Sequence, residues 1–189
     1  MSTGTLSPIP TSTSNLMSAA EFAVLHGSDN VELVQGHVRE IPMPIHGNTC
    51  FKAAYYIGDF AIKADSGRVL TNDTFIQTRT NPDSVRGADV CYYSYDRLSR
   101  GLLPDGLLPI LPDLIVEVRS KSDRWNAVFA KVIEYLDAGV RVVIVLDEPS
   151  CSASVYRAEE IQQIFHNGDD LVVPDVLPGF AVPVRRFFE

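Results

Sequence analysis

The sequence predicts an α/β fold of the α+β kind, with a mixed central β-sheet flanked by helices. Residues 114–118 form a short apolar run rich in β-branched side chains, typical of a strand covered on both faces. Residues 125–136 then carry apolar side chains at three- and four-residue spacing, which indicates an amphipathic helix. Residues 141–146 form a second apolar strand. This order of strand, helix and strand is typical of a right-handed parallel crossover.

The helix between these two strands has recognisable ends. Ser122 or Asp123 is predicted to cap its start, and Gly139 to cap its end. Lys131 falls at the margin of the apolar face, so its stem can be buried while its ammonium group returns to the end of the preceding strand. The predicted apolar face consists of Trp125, Val128, Phe129, Val132 and Leu136.

The remaining elements are predicted from similar patterns. Residues 1–15 are mostly Ser, Thr, Pro and Gly, which predicts a disordered tail before one domain over residues 16–189. Residues 96–112, rich in Gly, Leu and Pro, predict a loop that packs on the body or on a partner. The predicted helices and strands are a helix at 17–26 capped by Ser18, a hairpin of 31–34 and 37–41, a helix at 46–64, strands at 68–70, 74–78 and 86–93, and a terminal hairpin of 152–156 and 161–165.

The predicted helix at 46–64 has an imperfect apolar face. Its expected members are Phe51, Ala54, Tyr55, Ile57, Gly58 and Ile62.

Composition narrows the classes of protein and partner. The chain has 189 residues and a formal net charge of −8, which argues against strong non-specific binding to nucleic acid. No apolar run is long enough to span a membrane, and no signal peptide is recognisable, so a cytoplasmic protein is expected. The spacing of Cys50, Cys91 and Cys151 fits no zinc or redox motif, so free thiols are expected.

Two carboxylates lie inside predicted apolar strands. Asp89 belongs to the strand at 86–93 and Glu117 to the strand at 114–118, where an ionised group is costly unless it is paired or binds a metal. Carboxylates from neighbouring strands can converge on one Mg²⁺ or Mn²⁺ ion. With Lys131 they form the minimum set for metal-assisted phosphodiester hydrolysis. Asp89 can instead pair with Arg86, and Lys131 can be a solvated helix charge.

Several short segments, in their joint order, carry a family resemblance. They are residues 32–36, 42–44, 46–47, 85–90, 112–120, Lys131, 134–135, 138–140 and 177–180. In this order the chain, from about Ser18 to Phe188, resembles the Uma-two family of restriction-endonuclease-like proteins within the PD-(D/E)xK nuclease superfamily.

The resemblance implies a restriction-endonuclease-like core with an extra N-terminal hairpin and C-terminal strands. It implies Asp89 and Glu117 as catalytic metal ligands, Glu32 as an accessory acid, and Lys131 as the catalytic lysine, displaced from the strand to the following helix. The chain departs from the motif at Arg119, which stands where the motif lysine is expected. Arginine cannot act as a base but can hold a phosphate, so Lys131 or Lys121 would have to substitute.

Two functions follow from this resemblance. The first is a Mg²⁺- or Mn²⁺-dependent endodeoxyribonuclease with weak intrinsic affinity for DNA, to which a partner or a homodimer adds affinity. The alternative is a catalytically inactive nuclease-fold module used for protein binding or assembly. Arg119 and the negative net charge motivate the alternative, and residues 102–111 would then be its contact surface.

Overall fold

The structure is a computed structural model that describes residues 16–26, 31–40, 47–121 and 123–189. The predicted tail at residues 1–15 lies outside the described residues. The helices are α1 (Ala19–His26), α2 (Gly47–Lys63) and α3 (Trp125–Ala138), followed by a closing 3₁₀ helix, Val184–Phe187. The strands are β1 (Val31–Val34), β2 (His37–Glu40), β3 (Gly67–Arg79), β4 (Ser84–Ser94), β5 (Leu114–Arg119), β6 (Val142–Asp147), β7 (Ser152–Tyr156), β8 (Gln163–Phe165), β9 (Asp170–Leu171) and β10 (Val182–Pro183).

The central sheet is mixed, as the sequence predicts. Its strands run in the order β2-β1-β4-β5-β6-β7-β8, with β3 also paired to β4, while β9 and β10 form a separate small sheet. The pair β5 and β6 is parallel and is joined by α3, which confirms the predicted crossover. The strands predicted at 68–70 and 74–78 are one strand, β3, interrupted by a bulge between Thr71 and Thr74.

One edge of β4 is shared by two strands that diverge from each other. Along its other edge β4 pairs with β3 from Ser84 to Ser94. On the shared edge β5 pairs only with residues 90–92, and β1 pairs only at Val85. Residues 86–89 of β4 therefore face a gap between β1 and β5, which we call the strand fork.

Two hydrophobic layers cover the sheet. Residues Ala53, Ile57 and Ala61 of α2 pack on one face with Val90 and Val116. On the other face, Val132 and Tyr135 of α3 pack with Cys91, Ile115 and Val143. The alternation of neighbouring strand residues between these layers is what a strand buried on both faces requires.

The apolar face predicted for α2 is right for Ile57 and Ala54, which pack in the core, and wrong for Phe51, Tyr55 and Ile62. The buried residues of α2 are Thr49, Ala53, Ile57 and Ala61, whereas Phe51, Tyr55 and Ile62 are exposed. Both sides of this helix carry apolar residues, and the face with the smaller side chains is the one that packs closely against the sheet. The larger side chains are left facing solvent.

Two of the predicted helix caps, Ser18 and Gly139, are present in the structure. Ser18 and Glu21 form reciprocal hydrogen bonds at the start of α1, a capping box. Gly139 adopts φ +112° at the end of α3, as expected for a C-cap. The cap predicted for the start of α3 is wrong for Asp123, because its carboxylate accepts hydrogen bonds from Ser120 instead and Arg124 holds the N-cap position. Ser122 lies outside the described residues.

The loop at 95–113 packs largely on its own chain. Leu98, Leu108, Ile110 and Leu111 contact the layer that contains α3, and Leu107 contacts the layer that contains α1. Only Leu102 and Leu103 among its leucines are exposed. The surface expected for the assembly-module alternative is therefore reduced to two side chains.

Gly67, at the start of β3, tests how closely β3 packs on β4. A Cβ atom there would clash with the Tyr93 carbonyl oxygen and lie 2.5 Å from the Tyr92 ring. We expect Gly67→Ala to lower the free energy of unfolding by about 1–3 kcal/mol, as overpacking does. Denaturant unfolding followed by circular dichroism measures this change.

Gly58→Ala in α2 is the matched control, because a Cβ at Gly58 has nothing within 4 Å. The added methyl group should raise the free energy of unfolding by roughly 0.5–1 kcal/mol, through the better helix propensity of alanine. Equal losses of stability in both variants would contradict the packing argument.

Candidate active site

Asp89 lies at the strand fork, where β4 separates from β5. Its Oδ2 accepts a hydrogen bond of 2.7 Å from the Val118 N–H, taking the place of a backbone partner beyond the last β4–β5 pair, Val90 with Val116. Asp89 is therefore held beside the residue that follows Glu117. Burial raises the pKa of the Asp89 carboxyl to about 6, although the Val118 hydrogen bond and the Lys131 charge act in the opposite direction.

Glu117 projects from β5 toward α3 and is buried. Its Oε1 accepts a hydrogen bond of 2.8 Å from the Tyr135 hydroxyl, and its Oε2 lies 3.2 Å from the Lys131 ammonium. Burial raises the pKa of Glu117 to about 7; Lys131 opposes that rise, and the Asp89 charge adds to it. The two carboxylates are thus close enough to influence each other.

Lys131 reaches back from α3 to the end of β5, as the sequence predicts. Its Nζ lies 2.8 Å from Glu32 Oε1 on β1 and 3.2 Å from Glu117 Oε2 on β5, so it bridges the two sides of the strand fork. Burial by itself would lower the pKa of Lys131, but the charges of Glu117 and Glu32 outweigh burial and raise it. Lys131 is therefore positively charged at neutral pH.

Arg86 links Glu32 to a further carboxylate, that of Glu134. Its guanidinium donates to Glu32 at 2.8 Å, and to Glu134 of α3 at 2.7 and 3.0 Å. Glu134 also accepts a hydrogen bond from Thr78 of β3. Asp89 does not pair with Arg86, so that structural alternative is wrong. The network joins β1, β3, β4, β5 and α3 around the strand fork.

The charges at the strand fork do not balance. Four carboxylates, those of Glu32, Asp89, Glu117 and Glu134, face two cationic side chains, Lys131 and Arg86. When all are ionised, the site has a formal excess of two negative charges. Such an excess in a buried setting favours either protonation or a bound cation.

The comparisons with known proteins show the family of this chain. Residues 19–185 match the model of the Uma2 family, described as putative restriction endonucleases. The chain belongs to the Uma2 family. The family resemblance read from the sequence is confirmed.

A solved structure similar to this Uma2 protein is a putative nuclease belonging to DUF820 from Anabaena variabilis. It superimposes with a TM-score of 0.77 at 17% sequence identity, covering 91% of this chain and 97% of that one. This likeness confirms the predicted fold class. The comparison with curated proteins found no match.

In this Uma2 protein Lys131 directly contacts Glu32 and Glu117, and Asp89 lies beside them at the strand fork, where it accepts a hydrogen bond from the Val118 N–H. Glu32, Asp89, Glu117 and Lys131 come from two arms of the fork, from β4 and from α3; their chemical roles stay predictions. Sequence reasoning missed Arg86 and Glu134 as partners, and it missed Tyr135 as a donor to Glu117. A signal existed on α3, since Glu134 and Tyr135 lie three and four residues after Lys131 and share its side of the helix.

Arg119, at the position expected for the motif lysine, is engaged with other residues of this Uma2 protein. Its guanidinium pairs with Asp147 on β6 and lies 4.6 Å from the centre of the Trp125 ring. Because these contacts hold Arg119 against α3 and β6, the amine beside Glu117 is supplied by Lys131. Lys121, the other candidate, is exposed.

The carboxylates at the strand fork fit an ion such as Mg²⁺, which keeps several water ligands, better than an ion whose ligands all come from the protein. Within the described ranges there is no group of three or more His, Cys, Asp or Glu residues arranged to hold a metal. Mg²⁺ is commonly bound by one or two carboxylates, with water and substrate phosphates completing the shell. The two carboxylates of such a site would be those of Asp89 and Glu117.

Among the described residues of this Uma2 protein, none of the helices could span a bilayer.

Proposed function

We propose that this Uma2 protein is a Mg²⁺- or Mn²⁺-dependent endodeoxyribonuclease that hydrolyses phosphodiester bonds of DNA. Asp89 and Glu117 would hold the cation, which supplies Lewis-acid stabilisation of charge that develops on the phosphate. The observation that carries the proposal is the buried excess of negative charge at the strand fork. Membership of a family described as putative restriction endonucleases supports the same reaction class.

Lys131 has a defined part in this proposal. Because Glu117 and Glu32 raise its pKa, it is charged and cannot accept a proton from water. Its ammonium group would contact the scissile phosphate and help orient it. Glu32 positions Lys131 from the opposite arm of the fork, which is a positioning role and not direct contact with the reacting atoms.

Calorimetric titration of Mn²⁺ tests the cation site. We expect binding to the wild type and at least about a tenfold weaker affinity in Asp89→Asn, since one of two carboxylate ligands is lost. The matched control is Asp105→Asn, an exposed aspartate of the loop at 95–113, which should bind as the wild type does. Equal affinity in wild type and Asp89→Asn would remove the cation from the proposal.

Nicking of supercoiled plasmid DNA with Mg²⁺ tests the reaction itself. Cleavage that disappears in Asp89→Asn but not in Asp105→Asn supports the nuclease. Cation binding without cleavage of any DNA substrate would favour the alternative of an inactive nuclease-fold module. The net charge of −8 means that the assay should be run at low ionic strength, where weak binding to DNA is strongest.

A further inference from the structure

The outward face of α2 carries an apolar stripe. Phe51, Tyr55 and Ile62 expose 63%, 53% and 78% of their surface, and the rings of Phe51 and Tyr55 stack with centroids 6.1 Å apart. At about 100° per residue, these three positions and Gly58 fall on one line along the helix, opposite the buried Ala53 and Ile57. The line of Phe51, Tyr55, Gly58 and Ile62 is called the α2 stripe below.

Nothing in the described part of the chain requires a glycine at position 58. A Cβ atom there would have nothing within 4 Å, and glycine in a helix interior is destabilising relative to alanine. A glycine in the middle of an exposed apolar stripe does have a reason if a second surface approaches it closely. Its missing side chain leaves room for a large side chain from that surface.

We propose that the α2 stripe packs against the α2 stripe of a second copy of this chain, with the two helices antiparallel. Two-fold symmetry about the centre of the stripe places Tyr55 of each copy opposite Gly58 of the other, and Phe51 opposite Ile62. The large Tyr55 then faces the small Gly58 at two symmetry-related places in the interface. The four positions are self-complementary only in the antiparallel orientation.

The charges beside the α2 stripe match the same register. Lys52 and Asp59 lie on one flank of the stripe, seven residues apart. In an antiparallel pair, equal flanks meet, so Lys52 of each copy lies opposite Asp59 and Lys63 of the other, and two ion pairs between Lys52 and Asp59 form across the interface. Lys52 has no hydrogen bond or ion pair among the residues that the structure describes. Among the same residues, Asp59 pairs with Lys63, and both side chains are exposed.

The interface is small and separate from the cation site. The α2 stripe spans about 16 Å along the helix axis. A contact of this length along one helix buries less surface area than a standard stable interface, so a weak dimer is expected. The α2 stripe points away from the sheet, whereas Glu117 and Lys131 meet on the α3 side of the sheet. The proposal does not rest on nuclease activity.

Sedimentation velocity of the full chain from micromolar to submillimolar concentration tests the dimer. We expect the wild type to self-associate, and Lys52→Asp and Asp59→Lys each to weaken association by at least about tenfold, because symmetry places every like-charge contact twice. Mixing these two variants should restore association, since one copy then has an acidic flank and the other a basic flank. Loss of the Asp59–Lys63 pair alone has little effect because that pair is exposed.

Ile161→Asp is the control, because Ile161 is 93% exposed and lies far along the chain from the α2 stripe. It should associate as the wild type does, and circular dichroism confirms that each variant is folded. A wild type that stays monomeric at every concentration overturns the proposal. Association that is unchanged in both charge variants, or that their mixture fails to restore, overturns it as well. If residues 1–15 cover the stripe in the same copy, the full chain is monomeric, which is the first of these outcomes.

Discussion

Replacement of Arg86 by methionine is expected to lower the free energy of unfolding by about 3–5 kcal/mol, the cost of removing one member of a buried ion-pair network. Arg86, Glu32 and Glu134 expose only 11%, 10% and 14% of their side chains. Without the guanidinium, Glu32 keeps Lys131 as a partner, but Glu134 retains only the Thr78 hydroxyl. A carboxylate buried without a cation is costly, so the variant should unfold at clearly lower denaturant concentration.

Arg100→Met provides the matched control for this stability measurement. Arg100 forms a bidentate pair with Asp65, but both side chains are more than half exposed, at 57% and 72%. Surface pairs contribute roughly 0–1 kcal/mol, so this variant should be nearly as stable as the wild type. Arg86→Lys should fall between the two, because an ammonium group cannot reproduce the three hydrogen bonds of the guanidinium fork. Equal stability of Arg86→Met and Arg100→Met would contradict the importance of the buried network.

Replacement of Lys131 by methionine is expected to reduce the rate of DNA cleavage by about 10²–10³-fold, the usual effect of removing one electrostatic contact to the transition state. The same variant should bind Mn²⁺ at least as tightly as the wild type. The reason is that Lys131 competes with the cation for Glu117, one of the two proposed ligands. A variant that loses cleavage while keeping or improving cation affinity separates the role of Lys131 from that of the carboxylates.

Lys121→Met is the control for this prediction, since Lys121 is exposed and was the other candidate for the motif lysine. It should cleave DNA at the wild-type rate. Plasmid nicking under single-turnover conditions measures the rate, and calorimetry measures cation affinity. A loss of cleavage in Lys121→Met with none in Lys131→Met would move the lysine role to the exposed residue.

The strands and Glu117 were predictable because each has a local signal, whereas Glu32 was named only from the family resemblance. A carboxylate inside an apolar strand, such as Glu117 in β5, is costly unless it is paired, so it predicts a partner nearby. The helical spacing of α3 then indicates that Lys131 can reach back to that partner. The structure agrees on both points, with a distance of 3.2 Å between Lys131 Nζ and Glu117 Oε2.

The remaining parts could not be predicted because they depend on distant segments. Arg86 pairs with residues 54 and 48 positions away, and nothing in its own strand indicates which acids those are. The buried face of α2 was predicted correctly for Ile57 but not for Phe51 and Tyr55, because both sides of the helix carry apolar residues and only packing on the sheet selects between them. Ala53 and Ala61 pack against the sheet instead, and the larger aromatic residues are exposed to solvent.

The strand fork has a consequence for the order in which the molecule assembles. Strands β4, β5 and β6 with α3 come from one continuous stretch, residues 84–147, whereas Glu32 lies on a hairpin that pairs with β4 at Val85. Contacts of such long sequence separation form late during folding, after the shorter loops have closed. Cleavage competence should therefore appear only after most of the secondary structure has formed, so recovery of activity during refolding would lag behind recovery of the circular dichroism signal.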